Sequence, residues 1–248
     1  MNNIMTTVKR FILNALPRRI WKYTIDANSA VTMDCLMLMK EKKGFTPKRI
    51  IDVGAHIGAW TRSIKKVFPD AHVLMIEPQA DKDRALRQVK MLYPMTVDYA
   101  MCLLGAERKE AILFYSLETG SSVLKEQSNV PSTMITLPMR MLDDVARERG
   151  FDEASLLKLD VQGYELEVLK GGTAVLKNAD VVMIEASFLA YNQDAPFFHD
   201  VIAFMKERGF IVYDIGSLYR WFRDETLMQA DFFFVKESSP WRPDYFAY

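Results

Sequence analysis

Short apolar runs alternate along this chain with longer segments in which apolar residues recur every three or four positions. The short runs predict buried strands, and the longer periodic segments predict amphipathic helices. Strands are expected at 49–53, 71–76, 96–102, 156–160, 181–185, 210–215 and 231–235. Helices are expected at 26–42, 59–67, 81–91, 164–169 and 198–208. This alternation predicts an α/β domain with a doubly wound, mostly parallel sheet.

Two regions depart from the alternation. The segment 217–229 has no helical stripe, so we expect a loop there and an antiparallel final pair of strands, because a parallel neighbour normally needs a crossover helix. The β-rich segments 111–115 and 134–137 predict a hairpin-like insertion. We therefore divide the chain into an N-terminal helical cap at 1–45, the sheet domain at 46–236 and a tail at 237–248. Pro17 breaks the basic, apolar segment 8–22, which favours a solvated helix on the domain over a lipid-bound one.

Composition narrows the class of protein. The chain has 248 residues, half of them apolar, and 32 basic side chains balance 32 acidic ones. This length suits one α/β domain, and zero net charge gives no overall field that would recruit nucleic acid. Cys35 and Cys102 are too few for a disulfide framework or a thiolate metal site. No signal peptide or membrane-spanning run is evident, so we expect a cytoplasmic protein.

The most informative motif is Asp52-Val-Gly-Ala-His-Ile-Gly58, in which an apolar strand ends in an acid and a Gly-x-x-x-Gly turn follows. A second apolar strand ends in Glu77, followed by Pro78. In doubly wound sheets, a carboxylate about 20 residues beyond the glycine turn binds the ribose diol of a nucleotide cofactor. A tight turn without a ligand is the alternative for the glycine motif taken alone.

The residues of the turn indicate which cofactor is bound. A dinucleotide-binding turn has a middle glycine that lets the backbone approach the pyrophosphate, whereas this turn carries Ala55, His56 and Ile57. Asp52 would repel a pyrophosphate but suits the ammonium and sulfonium of S-adenosylmethionine. We therefore favour a methyl donor over NAD, and a dehydrogenase remains a less favoured alternative.

Further acids follow the later strands. Asp52, Asp160 and Glu185 each end an apolar strand, so we expect them at one crevice, although each alone is also a common helix cap. Lys158 shares a strand face with Asp160, and a buried lysine needs a partner, expected to be Asp160 or Glu185. Such an ion pair is either structural or catalytic.

The roles of two other titratable side chains, Glu165 and His199, remain open. Glu165 either caps the turn before its helix or points into the site. His199 is the only histidine placed to act as a general base, and the alternative is an ordinary surface histidine.

These motifs, taken in order, resemble the FkbM family of S-adenosylmethionine-dependent methyltransferases. The resemblance rests on the 52–58 turn, on Ile76-Glu-Pro78, on Ser121-Ser122 and on five later stretches, at 136–144, 158–165, 169–172, 184–185 and 229–235. It implies the class I, Rossmann-like methyltransferase fold with a seven-stranded sheet whose last strand is antiparallel, preceded here by the N-terminal helices. One departure stands out, because the family usually has Glu where this chain has Gln162.

The resemblance also implies an activity, which is methyl transfer from S-adenosylmethionine to a hydroxyl of a sugar, glycan or secondary metabolite. We expect the cofactor to lie against the strand-end residues Asp52, Gly54, Ala55, His56, Gly58, Glu77, Pro78 and Cys102. The expected catalytic residues are Asp160, Lys158, Glu185 and His199. Asp160 or Glu185 would remove the hydroxyl proton with help from Lys158, or the two carboxylates would hold Mg²⁺.

The expected partner is a small-molecule or glycan acceptor, with a homo-oligomer possible and no nucleic acid. The Asn/Asp-Pro-Pro-Tyr element typical of base methylation is missing after the fourth strand. A nucleic-acid or protein acceptor, and a scaffold that binds the cofactor without efficient transfer, are the alternatives.

Overall fold

A computed structural model describes residues 25–117, 120–127, 132–189, 191–221 and 223–242. Its strands, in chain order, are β1 (Arg49–Val53), β2 (His72–Glu77), β3 (Val97–Met101), β4 (Leu103–Leu104), β5 (Lys109–Ser116), β6 (Thr133–Arg140), β7 (Leu156–Leu159), β8 (Val181–Ser187), β9 (Phe210–Arg220) and β10 (Leu227–Lys236). Its α-helices are α1 (Ile25–Lys43), α2 (Ala59–Val67), α3 (Asp83–Leu92), α4 (Leu142–Arg149), α5 (Glu165–Lys170), α6 (Thr173–Asn178) and α7 (Phe198–Glu207).

The main sheet has seven strands in the order β3-β2-β1-β7-β8-β10-β9. The first five of these pair in parallel, and β10 pairs antiparallel with both β8 and β9. The strand order reverses between β1 and β7, which is where doubly wound sheets bind ligands. The prediction of a mostly parallel sheet with an antiparallel last strand is confirmed.

The last two strands are longer than expected. The sequence predicts a loop over 217–229, whereas β9 continues to Arg220 and β10 begins at Leu227. Register shifts interrupt their pairing in three places, and such bulges break the strict alternation by which a strand is recognised in a sequence. The antiparallel direction of the pair is as predicted.

The predicted insertion forms a separate small sheet. β5 and β6 pair antiparallel as expected, and the two-residue strand β4 adds to β6 in parallel. Two helices were not predicted, namely α4 and α6. Both are short, and α6 begins directly after Gly172, where the sequence indicates only the end of α5.

Apolar layers cover both faces of the main sheet. One layer packs α4 to α7 on β7 and β8, and the other packs α1, α2 and α3 on β1 and β2. The described part of the cap, α1, packs against β9. The expected helix at 8–22 and half of the tail, residues 243–248, lie outside the described residues, so the domain boundaries stay predictions. None of the helices in the described part of the chain combines the length and hydropathy that a membrane crossing requires.

Candidate functional site

A cavity of about 740 Å³ lies where β1, β2, β7 and β8 end. This volume is within the usual range for small-molecule sites. Its walls include residues at the ends of β1, β2 and β7, part of α1 and part of the small sheet. Glu185 also lines it from within β8, which continues to Ser187 rather than ending at Glu185 as predicted. On one side are Gly54, Ala55, His56, Glu77, Pro78, Gln79, Cys102 and Leu103, and on the other are Asp160, Glu185, Tyr219, Gln229, Asp231, Thr32, Met33 and Met37.

The turn after β1 is shaped by close backbone packing. Gly54 has a φ of +76°, and a Cβ on it would lie 1.8 Å from the carbonyl oxygen of Asp160. Only glycine therefore lets the β1 turn lie directly on the β7 turn. Gly58 also has a positive φ, and its missing side chain leaves room for Val89 of α3. The two glycines of the motif thus serve backbone packing, and Gly54 also lines the cavity.

Glu77 is fixed at the end of β2. Its Oε2 accepts a hydrogen bond of 2.8 Å from the backbone N–H of His56, and its Oε1 accepts one of 3.0 Å from the N–H of Gln79. Burial raises the pKa of Glu77, and these two hydrogen bonds oppose that rise. The carboxylate lines the cavity and has unused lone pairs for the hydroxyls of a ribose, so the site fits a nucleoside cofactor.

Asp52 and Lys158 form a buried ion pair beneath the cavity. They are direct neighbours in the β1–β7 register, and Lys158 Nζ lies 3.1 Å from Asp52 Oδ1. Thr61 donates a hydrogen bond of 2.7 Å to the other oxygen of Asp52. Asp52 is completely buried and is not on the cavity wall. The structure therefore places the Asp52 carboxylate against Lys158. The prediction that Asp52 faces the cationic cofactor is wrong.

Lys158 holds the two turns together. Besides Asp52, its ammonium lies 3.4 Å from Asp160 Oδ2 and donates to the carbonyl oxygens of Val53 and Gly54 at 3.3 and 3.1 Å. Burial disfavours the charged lysine, but Asp52 and Asp160 outweigh it and raise the pKa of Lys158. Asp160 is one of the expected partners and Asp52 is an unexpected one. The lysine is a fixed cation that orients Asp160.

Gln162 joins the two strand-end carboxylates. Its Nε2 donates to Asp160 Oδ1 and to Glu185 Oε2, both at 2.8 Å. Burial and the charge of Asp160 raise the pKa of Glu185 well above its usual value. The expectation that Asp160 and Glu185 come together is therefore met, and an amide that the sequence marked only as a family departure connects them.

Two further side chains close this arrangement into a ring. Gln229 Nε2 donates to Glu185 Oε2 and to the hydroxyl of Tyr191, both at 2.8 Å. The Tyr191 hydroxyl donates in turn to Gln162 Oε1. Four side chains (Glu185, Gln162, Tyr191 and Gln229) thus form a closed hydrogen-bonded circuit beside the β8 and β10 end of the cavity. Gln229 begins the 229–235 stretch of the resemblance, but nothing in that stretch indicates a contact with Glu185, and Tyr191 stands in no motif, so sequence reasoning missed the role of both.

The backbone of Gln162 is held in an unusual conformation. Its φ is +56°, a value that a non-glycine residue adopts only when its surroundings impose it. Asn192 donates to its carbonyl oxygen at 2.6 Å and Ser122 at 3.0 Å. Glu165 accepts from the N–H groups of Val161 and Gly163 at 2.9 and 3.1 Å. Of the two possibilities for Glu165, the structure shows the turn cap, and burial raises its pKa to about 7.

Another buried acid, Asp231, lines the cavity from β10. Thr32 of α1 donates to Asp231 Oδ2 of β10 at 2.6 Å, and the hydroxyls of Thr32 and Ser217 are also 2.6 Å apart. Burial raises the pKa of Asp231 to about 6, partly offset by the hydrogen bond from Thr32. This contact fastens the N-terminal helix to the last strand and makes α1 a wall of the cavity.

Most of the expected site residues line the cavity. Those that do so are Gly54, Ala55, His56, Glu77, Pro78, Cys102, Lys158, Asp160 and Glu185. Asp52 and Gly58 lie behind the wall. His199 is the clear departure, because its side chain is 65% exposed on α7, contacts Asp200 and is not part of the lining. Burial raises the pKa of the Cys102 thiol to about 11, which makes it a neutral part of the wall.

The arrangement of the carboxylates bears on the Mg²⁺ alternative. Within the described ranges, no three His, Cys, Asp or Glu side chains are grouped to hold a metal ion. The pair considered for Mg²⁺, Asp160 and Glu185, is bridged by the amide of Gln162. The side chains present therefore fit an amide-bridged carboxylate pair better than a divalent cation.

Comparisons with known proteins found similar chains among methyltransferases. Two curated relatives are methyltransferase sdnD of Sordaria araneosa, 28% identical with 49% of this chain and 59% of that protein covered, and methyltransferase 1 of Beauveria bassiana, 26% identical with 49% and 57% covered. The match thus spans less than two thirds of either relative's length. Among solved structures, magnesium protoporphyrin IX methyltransferase from Synechocystis PCC 6803 with bound S-adenosylmethionine is 10% identical, with 83% of this chain and 78% of that chain covered and a TM-score of 0.47.

The family model of the methyltransferase FkbM domain matches residues 52–212. The match begins at Asp52, includes the turns after β1 and β7 and continues into β9. It covers more than half of the chain. The chain belongs to the FkbM methyltransferase domain family.

Proposed function

We propose that this protein transfers a methyl group from S-adenosylmethionine to a hydroxyl of a small molecule, such as a sugar, glycan or secondary metabolite. The observation that carries this proposal is the pair Asp160 and Glu185, which faces the same cavity as the ribose-binding candidate Glu77. Methyl transfer to oxygen needs a base at the acceptor, and this pair provides one beside the cofactor position.

The cofactor side of the cavity supports the first half of the proposal. Glu77 would bind the ribose hydroxyls, while Pro78, Cys102 and Leu103 form a neutral wall beside it. S-adenosylmethionine supplies an electrophilic methyl group on a sulfonium. The carboxylate of Asp160 at the β7 end favours a cation in this position, and Lys158 beneath holds that carboxylate in place.

The acceptor side supports the second half. The acceptor oxygen attacks the methyl carbon, the carbon–sulfur bond breaks, and Glu185 takes the hydroxyl proton. The raised pKa of Glu185 makes it a stronger base than an exposed carboxylate, which suits proton removal near neutral pH. Holding both reactants in line supplies most of the remaining acceleration. Methionines 33, 37 and 183 and Tyr219 add apolar surface for a small organic acceptor.

Calorimetry with S-adenosylhomocysteine tests the cofactor site. Wild type should bind, Glu77→Ala should lose most of the affinity because the ribose contact goes, and the exposed variant His199→Ala should bind as wild type does. Failure of folded wild type to bind would refute the proposed cofactor.

Transfer of labelled methyl from S-adenosylmethionine to fractionated small-molecule, protein and RNA pools then tests the acceptor. Glu185→Gln should abolish labelling while cofactor binding stays within a few-fold of wild type. Labelling confined to protein or RNA would contradict the small-molecule proposal, and binding without any labelling would favour a scaffold.

A further inference from the structure

Gln162 has a chemical environment that the proposed reaction does not by itself explain. Both hydrogens of one amide nitrogen are directed at carboxylate oxygens, Asp160 Oδ1 and Glu185 Oε2, each 2.8 Å away. The opposite assignment of the amide would place its oxygen against two carboxylates. The amide orientation is therefore fixed by charge as well as by the Tyr191 hydroxyl, which donates to Gln162 Oε1.

A count of donors and acceptors shows that the circuit is complete without a shared proton. The two amides have four N–H bonds, and these go to Asp160, twice to Glu185 Oε2, and to Tyr191. Tyr191 uses its single O–H on Gln162. No carboxylate has to be protonated to satisfy this network.

The two carboxylate oxygens of Glu185 differ in their hydrogen bonding. Both amides bind Oε2, and the described residues give Oε1 no hydrogen-bond donor. Glu185 is half-buried and lines the cavity. Its Oε1 is therefore the oxygen that an acceptor hydroxyl can reach.

We propose that Gln162 is a positioning residue whose carboxamide lets Asp160 and Glu185 stay close without sharing a proton and directs the free Oε1 of Glu185 at the acceptor. The first half stands on the geometry alone, and the second rests on the proposed methyl transfer. A carboxylate at position 162 would instead put a third acid between two others. One of the three would then keep a proton as the pH rises.

Several charged groups surround the pair and contribute to its titration. Lys158 of β7 lies beneath, Asp231 of β10 and Glu165 of α5 are acids nearby, and Tyr191 and Tyr219 are buried phenols on the acceptor side. These groups are the same in wild type and in a Gln162 variant. The difference between the two proteins therefore isolates the effect of the amide.

Thermal unfolding without ligand tests the electrostatic half. Gln162→Glu should lose stability relative to wild type as the pH rises from 5 to 8, because the new acid is held protonated in the folded state and ionises freely in the unfolded one. Each pKa unit of that shift corresponds to about 3 °C or more in Tm. Gln88→Glu is the matched control, because Gln88 is exposed on α3. Curves for the two variants that run parallel at every pH would overturn the proposal.

A second variant covers the case in which Gln162→Glu folds poorly. Gln162→Met removes the amide without adding charge. Its stability relative to wild type should also fall as the pH rises, but by less than that of Gln162→Glu. A loss that is equal at every pH would mean that Gln162 only fills space.

Kinetics test the catalytic half once an acceptor is found by the labelling screen. Gln162→Glu should move the rising limb of the kcat profile up by at least about one pH unit, with S-adenosylhomocysteine affinity close to that of wild type. An unchanged limb would refute the directing role of Gln162. Failure of wild type to bind S-adenosylhomocysteine would sink the proposed function and leave the unfolding result standing.

Discussion

The buried pair between Lys158 and Asp52 should dominate the stability of the turn region, and Lys158→Met tests this. The change keeps the length and apolar stem of the side chain and removes the ammonium. It leaves Asp52 completely buried with one hydroxyl partner, Thr61. Asp160 loses a contact too, but its side chain is 36% exposed and can be hydrated.

The expected size follows from the distance. Two unit charges 3.1 Å apart at an effective dielectric constant of about 20 attract each other by about 5 kcal/mol. Removing one partner of a buried pair typically costs about 3–5 kcal/mol. We therefore expect the free energy of unfolding to fall by about 4 kcal/mol, with a decrease in Tm of roughly 8–16 °C for a chain of this size.

Urea unfolding followed by far-ultraviolet circular dichroism at pH 7 measures the change. Lys90→Met is the control, because Lys90 pairs with Asp98 at the surface, with side chains 44% and 29% exposed, and such pairs contribute at most about 1 kcal/mol. The double variant Asp52→Asn with Lys158→Met should recover much of the loss, because no buried charge remains. Equal losses for Lys158→Met and Lys90→Met would refute the reasoning.

Three further outcomes follow from the structure. Asp231→Asn should gain stability relative to wild type as the pH rises from about 4 to 7, because the folded acid with a pKa of about 6 must give up its proton in that window; unfolding temperatures that change in parallel would contradict this. Gly54→Ala should lose cofactor binding and about 3 kcal/mol or more of unfolding free energy, since its Cβ would meet a carbonyl at 1.8 Å. Gly44→Ala, which has a similar φ and nothing within 4 Å, should cost only about 1 kcal/mol in the same denaturation assay. His199→Ala should leave methyl transfer to any identified acceptor within about two-fold of wild type, because the side chain is exposed and does not line the cavity. A large loss of kcat would restore His199 as a candidate base.

Sequence patterns predicted the sheet and most of its helices because short apolar runs and longer periodic segments are local signals. The predicted bounds of β1 and α2 are the ones that the structure shows. The short helices α4 and α6 and the bulged ends of β9 and β10 escaped, because neither has a regular period long enough to recognise.

The candidate site was partly predictable for a related reason. Residues near the carboxyl ends of parallel strands meet at one edge whatever the register, so the nearness of Asp160 and Glu185 could be predicted. Asp52 was expected to face the cofactor because a strand-end acid looks the same whether it faces a cavity or a neighbouring lysine. Only the β1–β7 register, which sets Asp52 opposite Lys158, distinguishes the two. The amide circuit also depends on β10 and on the loop after β8, so distant parts of the chain complete it.

The position of β10 between β8 and β9 has a consequence for biosynthesis. Until residues 227–236 leave the ribosome, β8 has an unpaired edge, and β9 has no partner in the sheet. Unpaired edges are templates for association with other chains, and pairing between strands distant in sequence forms slowly. The nascent chain thus has an aggregation-prone interval between the synthesis of β8 and that of β10, when chaperone binding would be of greatest benefit.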